Sequence, residues 1–252
     1  MPPIGAITFD LWDTVLIDDS DEPKRAAAGL APKARARRAL VAEALQRHEP
    51  IERRLVDCAY DTADAAFRRV WYGQHVTWPV AERLDVILSG LGRALPADEQ
   101  ASLIERHERM ELEITPDLVA GAGGFIAQQA QRRPLVVISD AIFSPGWALR
   151  ELLRHHGLEQ HFSGFVFSDE VGAAKPQPAL FHRAAELAGV PVEQLLHIGD
   201  REAKDVAGAR SVGARAVLFT AVRDRSGGQS QADAVCDSYA HLAEFISEFE
   251  SR

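Results

Sequence analysis

The sequence predicts an α/β fold, a doubly wound parallel sheet carrying an inserted all-helical segment. Short, nearly unbroken apolar runs recur at residues 4–8, 135–139, 164–168, 195–199 and 214–219, and helix-compatible stretches separate the last four. Strands that are apolar on both faces and alternate with helices belong to a parallel sheet covered on both sides. Residues 18–115, by contrast, contain no convincing β run and several long helical patterns. The expected division is therefore a core of residues 1–17 and 116–252, interrupted by a helical cap at 18–115.

Taken in order, the first run ends in the stretch FDLWDTVL, residues 9–16, which places Asp10 at the carboxyl end of a strand. The insert reads as helices at 33–48, 52–72, 80–91 and 97–113, with Pro50, Pro79 and Pro96 at or near helix starts, where proline is tolerated. A helix at 117–131 leads to the strand LVVIS (135–139), and the next helix opens at Ser144-Pro145 and closes at Gly157. The strand GFVFS (164–168), a helix at 178–188 closed by Gly189 and the strand LLHIG (195–199) follow. A helix from Glu202 closed near Gly213, the strand ARAVLF (214–219), a polar loop at 224–231 and an amphipathic helix at 238–249 complete the chain.

With 252 residues, 46% hydrophobic and 26% charged, the composition is that of a soluble globular protein, and no stretch approaches the roughly 18 apolar residues of a membrane span. The chain starts directly into a strand, so no signal peptide is expected. The two cysteines, Cys58 and Cys236, lack a metal-type spacing, which fits a reducing, cytoplasmic setting. A formal net charge of -9 disfavours nucleic acid as a partner, whereas a small phosphorylated ligand needs only local positive charge. Oligomeric state has no signature here.

In parallel sheets ligands bind at the carboxyl ends of the strands. The residues following the predicted strands are Asp10, then Ser139 and Asp140, then Lys175, then Asp200 with Asp205. This is a set of parts for phosphoryl transfer. Asp10 would attack phosphorus, Asp10 and Asp200 would hold a hard, oxygen-preferring cation such as Mg2+, and Lys175 and Ser139 would bind the phosphoryl oxygens.

The four segments FDLWDTVL, VVISD, VGAAKPQPALF and HIGDREAKDVAGARSVGA, in this order, resemble the motifs of the haloacid dehalogenase (HAD) superfamily. The resemblance runs across the chain and likens the helical insert to the family's cap. It implies Asp10 as nucleophile, Lys175 and Ser139 as catalytic partners, and Thr14, Ser139, Asp140 and Lys175 as substrate-binding residues. It also implies a Mg2+ site of Asp10, Asp200, Asp205 and the backbone carbonyl of Trp12. One departure stands out. Phosphatases of the family usually carry an acid two residues after the nucleophile, for protonating the leaving group, and here that residue is Trp12. Asp13, where relatives commonly have Gly, and Asp140 are the candidate replacements. The expected function is Mg2+-dependent hydrolysis of a small phosphorylated metabolite through an aspartyl-phosphate on Asp10. Trp12 opens a second reading, a metal-independent 2-haloacid dehalogenase, and a third is a catalytically weak binding protein.

Several other features have plainer readings. Gly121, Gly123 and Gly124 lack the Lys and Ser/Thr of a phosphate loop and suit close helix packing. The acid-free basic stretch 23–38 reads mainly as a solvated helix face. Asp57, Asp61 and Asp64 read as surface acids within reach of arginines, and His197 as a core histidine.

Overall fold

The computed structural model describes residues 3–225 and 229–251. The middle of the expected polar loop at 224–231 lies outside the described residues. Six strands form one parallel sheet: β1 (Ala6–Phe9), β2 (Leu135–Ser139), β3 (Gly164–Phe167), β4 (Leu195–Gly199), β5 (Arg215–Phe219) and β6 (Ala234–Cys236). Their order is β3-β2-β1-β4-β5-β6. After β1 the chain builds outward on one side through β2 and β3, then crosses back to lay β4, β5 and β6 on the other. The switch in winding direction thus falls at β1, and the crevice it opens at the carboxyl end is the expected ligand position.

Among the described residues, twelve α-helices accompany this sheet. Between β1 and β2 run α1 (Asp21–Ala27), α2 (Lys33–Gln46), α3 (Arg53–Gly73), α4 (Val80–Gly90), α5 (Ala97–Glu108), α6 (Met110–Glu113) and α7 (Ala122–Ala130). The later crossovers carry α8 (Gly146–His155), α9 (Ser168–Val171), α10 (Pro178–Ala188) and α11 (Ala207–Ser211), and α12 (Tyr239–Glu250) ends the described chain.

Side chains alternate across each strand, so each strand contributes to two cores. Ile7, Phe9, Val137, Leu196 and Ile198 face one cluster with Phe125 and Ile126 of α7, Leu149 and Leu152 of α8, and Leu242 and Ile246 of α12. Ala6, Val136, Ile138, Leu195 and Leu218 face the other, with Leu180, Phe181 and Ala184 of α10 and Ala209 of α11. The sheet is therefore covered on both faces, as its apolar strands require. Helices α2 to α5 bury a third cluster of their own, including Leu45, Val56, Tyr60, Leu84, Ile87 and Leu103.

The two passages between sheet and insert are tied together. Ile17 N–H donates to the Asp117 carbonyl at 2.8 Å, Asp117 N–H to Ser20 Oγ at 2.8 Å, and Leu16 bridges antiparallel to Leu118. This pairing explains why the helix expected from 117 begins only at Ala122: residues 117–119 are held extended, and Gly121 turns at φ +85°. The expected helix at 97–113 breaks at Arg109, separating α5 from α6. The helix expected from Glu202 opens with a π-helical turn, Glu202–Val206, before α11. The strand β6 and helix α1 had no clear sequence pattern, being three and seven residues long.

The insert also packs on the sheet's carboxyl edge. Phe143, in the loop after β2, lies between two buried guanidinium groups of the insert, with Arg37 3.7 Å and Arg83 3.9 Å from its ring centroid. Arg83 is in turn held by Asp64 at 2.5 Å. The basic stretch at 23–38 is largely paired in this region: Lys24 with Asp117, Lys33 with Asp21, and Arg38 with Asp61.

Candidate active site

Asp10 follows β1 directly, and its backbone N–H donates to the Ile198 carbonyl at 2.9 Å, which fixes it against β4. A tight turn follows in which the N–H groups of Thr14, Val15 and Leu16 all converge on the Leu11 carbonyl. That turn places Asp13 at φ +55°, in the left-handed region where Asp is among the few tolerated non-glycine residues. Asp13 Oδ1 accepts from Asp18 N–H at 3.0 Å, a local bond that supports the conformation, and Oδ2 pairs with Arg225 at 2.7 Å. Asp13 N–H donates to the Leu16 carbonyl and Leu16 N–H to that of Leu11, so neither bond engages the Trp12 carbonyl.

The other residues arrive from neighbouring strand ends. Ser139 is the last residue of β2, and its hydroxyl, like that of Thr14, is buried without a hydrogen-bond partner among the described residues. Lys175 is anchored by its backbone N–H, which donates to Asp140 Oδ1 at 2.9 Å. Its ammonium lies 2.7 Å from Asp10 Oδ1 and 2.5 Å from Asp205 Oδ1. Asp200 follows β4, next to Gly199, and the glycine is required: a Cβ there would stand 2.3 Å from the Asp205 carboxyl carbon. Asp205 can lie across the strand end only because position 199 has no side chain.

Carboxylate oxygens of Asp10, Asp200 and Asp205 lie within 4.8 Å of one another, and all three residues are buried. They form an all-oxygen donor set of the kind that suits a hard divalent cation. Burial raises the Asp10 pKa, with the neighbouring Asp205 charge adding to it, while Lys175 pulls it back. At Asp205 burial also pushes upward, but Lys175 and His197 outweigh it and hold the carboxyl well below the usual range. Burial alone would lower the Lys175 pKa; Asp10, Asp205 and Asp140 together raise it, so the ammonium stays charged.

Some participants gave little sign in the sequence. His197, read as a core residue, spans from Thr8 Oγ1 at 2.8 Å to Asp205 Oδ1 at 3.1 Å and so orients that carboxylate. Trp71, from α3 of the insert, donates its indole N–H to Asp140 Oδ2 at 3.0 Å. Arg225 pairs with both Asp13 and Asp200. Arg201 and Lys204 line the cleft with Asp10, Trp12, Asp140 and Lys175. His197, Arg201 and Lys204 lie inside the segment HIGDREAKDVAGARSVGA, where its acids and not these three drew the reading, whereas Trp71 and Arg225 lie outside all four segments. Thus the strand ends bring Asp10, Ser139, Lys175, Asp200 and Asp205 together, Asp13 is turned to Asp18 N–H and Arg225, and the unforeseen residues come from the insert, from the strand interior, from between the motif's acids or, as Arg225, from the segment after β5.

A model of the haloacid dehalogenase-like hydrolase family matches residues 4–213. The chain belongs to this family. A 71-residue stretch, 28% of this chain and 29% of the relative, is 44% identical to haloacid dehalogenase-like hydrolase domain-containing protein 3 of Danio rerio. A longer match, 163 residues at 36% identity, covers 63% of this chain and 59% of a phosphoserine phosphatase of Thermus thermophilus. The matched regions thus span less than two thirds of these relatives. The same fold occurs in the crystal structure of a 2-haloacid dehalogenase from Pseudomonas syringae, with a TM-score of 0.68 at 20% identity over 98% of this chain and 99% of that one. The HAD hydrolase fold therefore places the strand-end acids, Ser139 and Lys175 at the crevice where its sheet reverses direction.

Proposed function

We propose that this HAD hydrolase cleaves a small phosphorylated metabolite in a Mg2+-dependent reaction through an aspartyl-phosphate on Asp10. The observation that carries this reading is Lys175 Nζ bridging Asp10 and Asp205 beside Asp200, a cation and three acids packed at one strand edge. The partial match to a phosphoserine phosphatase supports it. Asp10, Asp200, Asp205 and the Trp12 carbonyl would hold Mg2+. When bound, the ion neutralises phosphoryl charge and so lets an anionic nucleophile approach.

Asp10 Oδ attacks phosphorus, and the bond from phosphorus to the leaving oxygen breaks. Lys175 and the Ser139 and Thr14 hydroxyls then hold the phosphoryl oxygens while charge develops on them. Water attacks the same phosphorus in the second step, releasing inorganic phosphate and restoring the Asp10 carboxylate. The leaving oxygen needs a proton that Trp12 cannot supply. Asp13 is the nearest acid in the chain and would have to leave Arg225 to give one; Asp140 lines the cleft but is held by Lys175 N–H and Trp71. General acid help is typically worth ~10²- to 10⁴-fold, so substrates with good leaving groups are favoured. The helices between 18 and 115 act in this reading as a cap that excludes water during the first step, and the setting is cytoplasmic.

A panel of phosphate esters and acyl phosphates, assayed with and without Mg2+ on wild type and Asp10→Asn, tests the reading. Phosphate release that needs both the metal and Asp10 is the expected result. Trp12 favours a second reading, because dehalogenases of the family carry a non-acidic, often aromatic residue at that position. Halide release from 2-haloacids under chelator, beside a blank phosphate panel, would replace the first reading with the second.

A further inference from the structure

Two cations in the cleft are left without a task by this chemistry. Lys175 is committed to Asp10 and Asp205, but Arg201 and Lys204 form no ion pair with Asp10 among the described residues. Lys204 is only 5% exposed, yet its ammonium makes two long contacts, 3.4 Å to Asp140 Oδ2 and 3.5 Å to the Trp71 carbonyl. Asp140 is better satisfied elsewhere, by Lys175 N–H at 2.9 Å and Trp71 Nε1 at 3.0 Å. Arg201 reaches Asp200 only at 3.8 Å. Both cations stand over the Trp71 ring, Lys204 at 4.0 Å and Arg201 at 5.6 Å from its centroid. They issue from one place: the Arg201 carbonyl accepts from the N–H groups of Lys204, Asp205 and Val206 in the π-helical turn, a feature that recurs at functional sites.

Charge completes the picture. The cleft is lined by Lys175, Arg201 and Lys204 against Asp10 and Asp140, and Trp12 puts an indole there instead of a further acid. A buried cation with only long contacts stays costly until an anion closes on it. Resting on the phosphate-ester reading above, we propose that the substrate's leaving group carries a second anionic group, a carboxylate or a second phosphate, held by Lys204 and Arg201 beside Trp71. A neutral leaving group would desolvate both cations without compensation, and the site thereby discriminates against it.

Three phosphate esters on one carbon skeleton test this, ending in a carboxylate, in its primary amide and in a second phosphate. They are assayed on wild type, Lys204→Met and Arg201→Met, and the same three are titrated against the tryptophan fluorescence of Asp10→Asn, since Trp12 and Trp71 line the cleft. Wild type is expected to prefer an anionic ester over the amide by about ten-fold or more in kcat/KM, and Lys204→Met to remove most of that preference, mainly through KM. The ester that loses more identifies the anion. A merely structural role for Lys204 would lower all three rates together and leave the preference unchanged, which overturns the proposal, as does a wild type that favours the amide. If no ester is turned over, the phosphatase reading fails, and fluorescence still decides this one: selective binding of the anionic members supports it, and equal or absent binding overturns it.

Discussion

Trp71 of the insert and Asp140 of the sheet edge are joined by a buried 3.0 Å hydrogen bond, with the second carboxylate oxygen of Asp140 held by the Lys175 backbone. An insert residue is thus wired, through one carboxylate, to the loop that presents the site's principal cation. Replacing Trp71 with Phe keeps an aromatic ring and deletes the donor. Hydrogen bonds to charged groups contribute about 1.5–3 kcal/mol, so Trp71→Phe should lower stability by that order and speed proteolysis of the insert–core junction. Urea unfolding and limited proteolysis measure the two effects; an unchanged midpoint and cleavage rate would rule out this contact as a clasp.

Trp12→Asp should raise turnover of alkyl phosphates by about ten-fold or more while changing acyl phosphates little, because only the former need a strong proton donor. Plotting rate against leaving-group pKa for both proteins checks this. The wild-type slope should be the steeper, and equal slopes would show that proton transfer is not what Trp12 limits.

Asp200→Asn and Asp205→Asn should each weaken Mg2+ or Mn2+ binding, followed by calorimetry in the absence of substrate. Asp205→Asn should also free Lys175 to pair with Asp10 alone. Binding undiminished in both variants would move the cation site elsewhere.

His107 gives the insert a pH dependence of its own. It is 1% exposed, donates Nδ1–H to the Leu103 carbonyl at 2.7 Å and stacks on Tyr60. Burial, reinforced by Arg37, Arg83 and Arg106 against the Leu103 carbonyl, lowers its pKa from 6.5 to about 4. The unfolded chain therefore binds a proton between these values and the folded chain does not, so stability falls as pH drops from about 6.5 towards 4. The expected loss attributable to this side chain is about 2 kcal/mol at pH 5. Urea unfolding at pH 7 and pH 5, on wild type and His107→Phe, isolates it: the variant should lose less on acidification, and an identical loss in both would refute the assignment.

Gly199→Ala should damage the site more than the fold around it. The added Cβ would meet the Asp205 carboxyl carbon at 2.3 Å, forcing that side chain off Lys175 and His197. Metal affinity should fall with Asp205 displaced, and calorimetry beside a melting curve separates that from simple unfolding.

The architecture was legible because it depends on local patterns that tertiary contacts reinforce. The apolar runs ending at Phe9, Ser139, Phe167 and Gly199 could only be strands covered on both faces; Asp10, Asp140 and Asp200 follow three of them directly, and Lys175 follows the fourth only after the short helix α9. Asp205 was legible through the resemblance of its segment, HIGDREAKDVAGARSVGA, to a motif of the family. What escaped was set by contacts between distant segments. Residues 117–119 read as helix because their pairing with Ile17 and Leu16 is invisible locally. His197 looked like any histidine in an apolar strand, since its partners Thr8 and Asp205 lie on another strand and beyond the next turn. Trp71 had no mark at all, because a tryptophan on a helix says nothing about which carboxylate it will meet.

The position of Phe143 between Arg37 and Arg83 has a mechanical consequence. Ser139 and Phe143 are ends of one short loop, the first in the site and the second gripped by two cationic planes of the insert. Swinging the insert outward must either strip both cations from the ring, at about 0.5–2 kcal/mol each, or haul the loop along and shift Ser139 with it. The loop is a tether as well as a ligand holder: anything that pins Ser139 in place also shortens the leash on the insert.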